Sequence, residues 1–194
     1  MKIAITGTFG AGKSSVSEIL TLFGYPVLNC DSLAKDYYKK ESSIYSQLVA
    51  ILTNYEDVVK DGIIDINRLG QLFFNDKHLK ETIEALIHTQ LLTDLSQYFN
   101  THTTSIVEVP LLFEVGWENY FDHVLVVTCD DSIAINRLQS YRNISSEEYE
   151  KRMNHQFDKA YKLNHASYII ENNGSKLDLE REVKQWLQKI NLSH

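Results

Sequence analysis

The sequence predicts an α/β fold in which a parallel β-sheet carries helices on both faces. Short β-prone apolar runs alternate with segments of helical periodicity, and this order is typical of parallel sheets. Residues 32–99 show helical spacing throughout and are longer than a crossover between parallel strands needs, which predicts a helical insertion. The length of 194 residues fits one core with one such insertion.

Each predicted strand is a short apolar run that ends where strand residues give way to turn residues. The first run ends at Gly7, and the third is closed by Pro110, which cannot continue a central strand. The last run precedes Asn172-Asn173-Gly174, a turn sequence. We expect strands over residues 3–6, 25–30, 105–109, 123–128 and 168–170.

The predicted helices have apolar residues spaced three and four positions apart. The first covers residues 14–23, and Gly24 ends it as a left-handed residue after the last turn. A long amphipathic pattern from Leu79 to Leu95 lies within the insertion, where Lys60-Asp61-Gly62 also predicts a turn. Further helices are expected over residues 133–142, 147–162 and 177–190.

The charge balance argues against a nucleic-acid partner. The chain has 19 Lys and Arg residues against 26 Asp and Glu residues, a net charge of −7. A nonspecific nucleic-acid binder needs a broad basic face, which this composition does not supply. Any anion that the protein binds must therefore be held by a local site.

Cysteine content and hydropathy indicate a cytoplasmic protein without a membrane segment. The two cysteines, Cys30 and Cys129, cannot build a disulfide framework, and no C-x-x-C pair suggests zinc. The first residues lack the apolar run of a signal peptide. No stretch approaches the roughly 18 unbroken apolar residues of a membrane helix.

Residues 7–14, Gly-Thr-Phe-Gly-Ala-Gly-Lys-Ser, match the pattern G-x-x-x-x-G-K-[ST] at every fixed position. Glycines let such a loop turn its backbone N–H groups inward, and the following helix directs its positive end to the same concavity. Lys13 is placed to bridge the β- and γ-phosphates of a nucleotide, and Ser14 to bind Mg²⁺. The segment therefore predicts a nucleotide-phosphate loop.

A phosphate loop does not by itself identify the reaction. The sequence has no guanine-reading N-K-x-D, and it is too short for the large multidomain ATPases. A compact chain with a helical insertion favours a small-molecule kinase. A nucleotide-binding regulator that transfers no phosphate is the alternative from another functional class.

Two acidic residues are candidates for the chemistry of phosphoryl transfer. Asp31 follows the second predicted strand, at its carboxyl end, where open α/β sheets bind ligands. It could equally cap a helix that starts at Ser32. Glu108 interrupts an apolar strand, and a buried acid needs a partner such as a metal-bound water. The alternative for Glu108 is a solvent-facing position at the sheet edge.

Three arginines and one histidine have less specific signals. Arg137, Arg142 and Arg152 lie on consecutive predicted helices and could form a lid over phosphates, or could be solvated helix charges. His88 lies on the apolar face of the long helix, where a satisfied core histidine is the simpler interpretation.

These motifs together resemble one family. The chain resembles the dephospho-coenzyme A kinases nearly from end to end. The segments that carry this resemblance are residues 5–15, residues 61–69, Val109-Pro110-Leu111-Leu112-Phe113-Glu114 and Asn172-Asn173-Gly174. The chain departs from that family's pattern at Asn29, where an acid is usual, and at Lys35, Thr89 and Ser167.

The resemblance implies a P-loop kinase that uses ATP and Mg²⁺ to phosphorylate the ribose 3′-hydroxyl of dephospho-coenzyme A. Catalysis is assigned to Asp31 (as the base), Lys13 and Arg142. ATP is assigned to Thr8, Gly10, Ala11, Gly12, Lys13, Ser14, Ser15, Arg137, Asn172 and Gly174. The metal is assigned to Ser14 and Glu108. The acceptor is assigned to Asp31, Arg68, His88, Pro110 and Leu111.

The expected organisation is a single kinase unit spanning residues 1–194. Its core comprises residues 1–31, 100–130 and 163–194, with an acceptor-binding insertion over 32–99 and a lid over 131–162. A different small acceptor, such as a nucleoside monophosphate or a sugar, is the second hypothesis. We expect a monomer, with a homo-oligomer left open.

Overall fold

The computed structural model describes residues 1–191. Residues 192–194, which are predicted to belong to the core, lie outside the described part. The strands are β1 (Lys2–Gly7), β2 (Val27–Asn29), β3 (Val59–Lys60), β4 (Ile63–Ile64), β5 (Ser105–Glu108), β6 (His123–Thr128) and β7 (Tyr168–Glu171). The helices are α1 (Lys13–Leu22), α2 (Cys30–Asp36), α3 (Tyr45–Leu52), α4 (Ile66–Asn75), α5 (Lys77–Thr101), α6 (Asp131–Arg142), α7 (Ser146–Met153), α8 (Lys159–Asn164) and α9 (Lys176–Lys189), with a 3₁₀ turn at Glu118–Tyr120.

The chain divides into two compact units, residues 1–29 with the described residues from 103 onward, and residues 30–102. The first unit contains a five-stranded sheet in the order β2-β5-β1-β6-β7. All its strand pairs are parallel, and Ile5 of β1 lies between Glu108 and Leu125 of the neighbouring strands. The predicted parallel α/β sheet is confirmed, as are all five predicted strands.

Consecutive residues of the central strand show that both faces of this sheet are covered. Ile3, Ala4 and Ile5 have no exposed surface, although neighbouring side chains on a strand point to opposite faces. α1 packs against β1, β2 and β5, and also contacts α9. Because the strands are parallel, their carboxyl ends all lie on the same side of the sheet. The segments that follow β1, β5, β6 and β7 therefore begin on that side.

A buried ion pair fixes the segment between α7 and α8. The Lys162 ammonium lies 2.8 Å from Oε1 of Glu114, and its side chain is fully buried. The same carboxylate oxygen accepts a hydrogen bond from the Phe157 amide at 2.9 Å, and Gln156 accepts one from Lys162 at 3.2 Å. Removing one partner of such a pair typically costs about 3–5 kcal/mol, because the other charge stays buried.

The prediction of one helix over residues 147–162 is wrong, because the chain forms α7 and α8 with a break between them. Asp158 caps α8 by accepting a hydrogen bond from the Tyr161 amide at 2.6 Å. An Asp that bonds the backbone in this way starts a new helix rather than continuing the old one.

The second unit contains α2, α3, α4 and α5. The buried face of α5 consists of the apolar residues that the sequence predicts, among them Leu79, Ile83 and Leu91. The Asp94 carboxylate accepts hydrogen bonds from Tyr37 at 2.6 Å and from Gln90 at 2.7 Å, which ties α5 to the end of α2. Among residues 1–191, no helix has the length and apolar character that a membrane crossing requires.

The prediction that residues 32–99 are helical throughout is also corrected. β3 and β4 form an antiparallel hairpin in which Lys60 lies opposite Ile63. The two residues of its turn, Asp61 and Gly62, have φ values of 51° and 70°. A two-residue hairpin turn of this hand needs positive φ at both positions, which Asp-Gly adopts readily. The predicted turn is therefore correct, and short strands flank it.

Candidate functional site

The loop after β1 has a backbone arranged to bind an anion. Gly10 and Gly12 have φ values of 79° and 94°, in the left-handed region that favours glycine. α1 begins without a side-chain cap on its amides. Within residues 1–191, the amides of Gly10, Gly12 and Ser14 donate no hydrogen bond to another backbone group. Free amides at a helix start form a ready site for phosphate oxygens.

The loop glycines are also required by close packing. A Cβ on Gly12 would overlap the side-chain nitrogen of Asn172, and one on Gly10 would lie 2.8 Å from Cδ1 of Leu138 in α6. Leu138 and Ala134 therefore contact the phosphate loop directly, and α6 supports it. Glycine is therefore needed at positions 10 and 12 for packing, in addition to its predicted role in letting phosphate approach the backbone.

Gly12→Ala should destabilise the protein by more than the backbone conformation alone explains. Left-handed φ costs an alanine about 1–2 kcal/mol, and overlap with Asn172 adds about 1–3 kcal/mol. Gly24→Ala is the matched control, because Gly24 has a φ of 86° and no atom within 4 Å of its Cβ position. Urea unfolding of both variants measures the difference. Equal losses of stability would contradict the packing role of Gly12.

Lys13 folds back across the phosphate loop. Its ammonium donates hydrogen bonds to the carbonyls of Gly7 at 3.1 Å and Thr8 at 3.0 Å. The Thr8 side chain itself is buried, and Ser15 lies in the first turn of α1, where its amide donates to the Gly12 carbonyl. The Lys13 ammonium is thus held at the mouth of the loop, where phosphate oxygens are the predicted partners.

Asn172, in the segment after β7, braces the phosphate loop, and Arg137 of α6 in turn holds that segment. The Asn172 side chain donates to the Ala11 carbonyl at 2.8 Å in a buried hydrogen bond. Arg137 of α6 donates to the carbonyls of Asn172 at 2.8 Å and Gly174 at 3.1 Å. Three residues predicted to bind ATP are therefore brought together beside the loop.

Glu108 and Ser14 line one open cleft of about 530 Å³, together with Ser17 and Asn29. Glu108 is only 3% exposed and lies on β5, which has a neighbouring strand on each side. The alternative of a solvent-facing position at the sheet edge is therefore wrong. Its Oε2 accepts a hydrogen bond from the Ser17 hydroxyl at 2.7 Å.

The donor set of this cleft fits Mg²⁺ bound together with a nucleotide. Within residues 1–191, no group of three or more His, Cys, Asp and Glu side chains is placed to hold a metal ion. Mg²⁺ does not need such a cage, since it keeps several waters and takes one or two carboxylates besides phosphate oxygens. The Ser14 hydroxyl and the Glu108 carboxylate supply donors of that kind.

Arg152 contacts the phosphate loop, although it is not among the residues predicted to bind ATP. It is one of the three arginines predicted either to form a lid over phosphates or to be solvated helix charges. Its guanidinium lies over the Phe9 ring at 4.8 Å and pairs with Glu148 at 2.7 Å. Tyr149 of the same helix is buried near Phe9, and burial raises the pKa of its hydroxyl, which stays protonated and donates to Asp131. A phenylalanine within a glycine-rich loop is the sequence signal for this contact.

Arg142 and the segment after β5 also belong to the first unit. Arg142 ends α6 and is exposed, without an ion pair to any residue in the range 1–191. Pro110 follows β5, and its carbonyl accepts a hydrogen bond from the Thr6 hydroxyl at 3.3 Å. Leu111 is exposed beside it. Their roles stay predictions.

The other residues that are predicted to bind the acceptor belong to the second unit. Asp31 lies in the first turn of α2, which begins at Cys30, so the alternative that Asp31 caps a helix from Ser32 is wrong. Arg68 is exposed on α4, and its guanidinium donates to Gln71 at 3.3 Å. His88 is half-buried on α5. That these three side chains bind the acceptor stays a prediction.

The chain matches a known protein family over most of its length. The model of the dephospho-CoA kinase family matches residues 1–178. A dephospho-CoA kinase of Staphylococcus aureus (strain Mu50) is 31% identical over 192 residues, which cover 96% of this chain and 92% of that protein.

Solved structures show the same fold over nearly the whole chain. A crystal structure from Thermus thermophilus gives a TM-score of 0.82 at 31% identity and covers 97% of this chain and 96% of its own. A dephospho-CoA kinase from Campylobacter jejuni gives a TM-score of 0.71 at 25% identity, with the same coverage. The P-loop kinase fold and the family resemblance are confirmed. The chain belongs to the dephospho-CoA kinase family.

Proposed function

We propose that this protein transfers the γ-phosphoryl group of ATP to the ribose 3′-hydroxyl of dephospho-coenzyme A, giving coenzyme A and ADP. Family membership makes the chain a kinase of coenzyme A biosynthesis. The observation that supports the chemistry best is the phosphate loop, with its open amides and the Lys13 ammonium at its mouth.

On the ATP side, residues 10–15 surround the phosphates, and the open amides of Gly10, Gly12 and Ser14 donate to them. Lys13 exchanges its contacts to the Gly7 and Thr8 carbonyls for phosphate oxygens and stabilises the charge on the transferring group. Arg142, exposed at the end of α6, adds positive charge when the lid closes. Asn172 holds the loop through its hydrogen bond to the Ala11 carbonyl, and Asn172 and Gly174 border the adenine.

Ser14 and Glu108 are the residues that would hold Mg²⁺, Ser14 directly and Glu108 through a bound water. When bound, the metal would supply positive charge that offsets the negative charge of the phosphates. Because Glu108 is buried at the end of β5, its carboxylate is fixed in place before nucleotide arrives.

On the acceptor side, Asp31 orients the 3′-hydroxyl and accepts its proton. Arg68 and His88 of the second unit, with Pro110 and Leu111, bind dephospho-coenzyme A. The lid excludes water from the closed site, since water would otherwise take the phosphoryl group. We assign the reaction to a monomer in the cytoplasm. The two cysteines, Cys30 and Cys129, are buried and form no disulfide, which fits a reducing compartment.

Coupled ADP release tests the proposal directly. With Mg²⁺ and ATP present, dephospho-coenzyme A is compared with AMP, CMP, shikimate and gluconate as acceptor. Stimulation only by dephospho-coenzyme A, with a product phosphorylated on the 3′-hydroxyl, is expected. Stimulation by another acceptor would reassign the insertion, and ATP binding without any transfer would favour the regulator.

A further inference from the structure

The contact between Ser17 and Glu108 joins two elements that both border the phosphate site. Glu108 ends β5 and is 3% exposed, so its carboxylate has lost most of its hydration. A buried carboxylate needs hydrogen-bond donors to stay favourable. The Ser17 hydroxyl donates to Oε2 at 2.7 Å, which is a short charge-assisted hydrogen bond.

The second oxygen of Glu108 is in a different situation. Within residues 1–191, Oε1 makes no hydrogen bond, and it is not among the fully buried polar atoms that lack a partner. Glu108 also lines the open cleft that Ser14 lines. Ser17 therefore occupies one carboxylate oxygen and leaves the other available to the cleft.

The position of Ser17 on α1 couples this contact to the phosphate loop. Ser17 follows Ser14 by three residues and Lys13 by four, so the three side chains lie on one face of the helix. Serine is a weaker helix former than alanine in a helix interior. At position 17 the serine hydroxyl instead donates a hydrogen bond to Glu108, which is 91 positions away in the chain.

We propose that Ser17 is a positioning residue that orients the Glu108 carboxylate toward a water on the nucleotide-bound Mg²⁺. The inference rests on the proposed magnesium role of Ser14 and Glu108. With Oε2 fixed by Ser17, the carboxylate does not rotate, and Oε1 accepts from the metal-bound water without a further ordering step. Asn29 of β2 lies opposite Glu108 of β5 and has no carboxylate. Glu108 is therefore the one carboxylate that these two strands contribute.

The test is the dependence of ADP binding on Mg²⁺, measured by calorimetry without any acceptor. Ser17→Ala should weaken the Mg²⁺-dependent gain in ADP affinity about tenfold, and leave ADP affinity without metal unchanged. Ser17→Thr, which retains the hydroxyl, should restore most of the gain. Thr21→Ala is the matched control, because its hydroxyl bonds the Ser17 carbonyl on the same helix and not a carboxylate.

A double-mutant comparison separates positioning from general destabilisation. In a Glu108→Gln background, Ser17→Ala should produce no further loss of the Mg²⁺-dependent gain. Full additivity, or an unchanged Mg²⁺ dependence in Ser17→Ala, would overturn the inference. Since the measurement needs no dephospho-coenzyme A, it stays decisive even where the acceptor assignment fails. An absence of any Mg²⁺-dependent gain in the unmodified protein would overturn the inference as well.

Discussion

Lys13→Ala should reduce kcat/KM for phosphoryl transfer by about 10³-fold, the loss that follows removal of a donor to developing charge in a closed site. The reason is the location of the ammonium, which the loop carbonyls hold at the mouth of the phosphate site. Coupled ADP release with dephospho-coenzyme A measures the loss, and thermal unfolding checks that the fold is retained.

Lys159→Ala is the control for this substitution. The Lys159 ammonium also donates to a backbone carbonyl, that of Cys129 at 2.8 Å, but it has no role in the proposed site. Its variant should keep kcat/KM within about threefold of the unmodified protein, because removal of a neutral-acceptor hydrogen bond costs stability rather than transition-state binding. Full activity in Lys13→Ala would contradict the phosphate-site assignment as a whole.

The phosphate loop could be predicted because its determinants are contiguous. The strand, the glycines, Lys13 and the helix follow one another within residues 2–22, so spacing alone describes them. The five strands of the sheet could be predicted for the same reason, since each is a short apolar run with a clear end. Local signals of this kind need no knowledge of which strands become neighbours.

The supports of the loop could not be predicted in this way. Asn172 and Ala11 are 161 positions apart, and only the strand order places the segment after β7 beside the loop. The contact between Arg152 and Phe9 also depends on how α7 packs. The sequence signals for both, an Asn after a strand and an aromatic in a loop, do not specify their partners.

The two errors in secondary structure have different causes. The hairpin strands are two residues each, too short for an alternating pattern to appear. The break before α8 did have a signal, because Asp158 is a strong helix-capping residue. Helical spacing on both sides of it concealed the boundary between α7 and α8.

Asp31→Asn should lower kcat at least about tenfold. This minimum is smaller than the roughly 10²–10⁴-fold that a general base typically contributes, because phosphoryl transfer passes through a loose transition state that needs little proton removal. Asn has nearly the shape of Asp but cannot accept the proton of the 3′-hydroxyl. The affinity for ATP should therefore stay within about twofold, as should the affinity for dephospho-coenzyme A in the presence of a non-hydrolysable ATP analogue. Steady-state kinetics and calorimetry measure these quantities separately.

Asp36→Asn is the matched control, because Asp36 ends the same helix, is exposed and forms a surface ion pair with Lys39. A solvent-exposed ion pair of this kind is weak because water screens it, so its loss should leave kcat unchanged. A kcat of Asp31→Asn equal to that of the unmodified protein would refute the base assignment. A large loss of dephospho-coenzyme A affinity at constant kcat would instead make Asp31 a binding residue, and the proton would then leave the hydroxyl without help from a protein carboxylate.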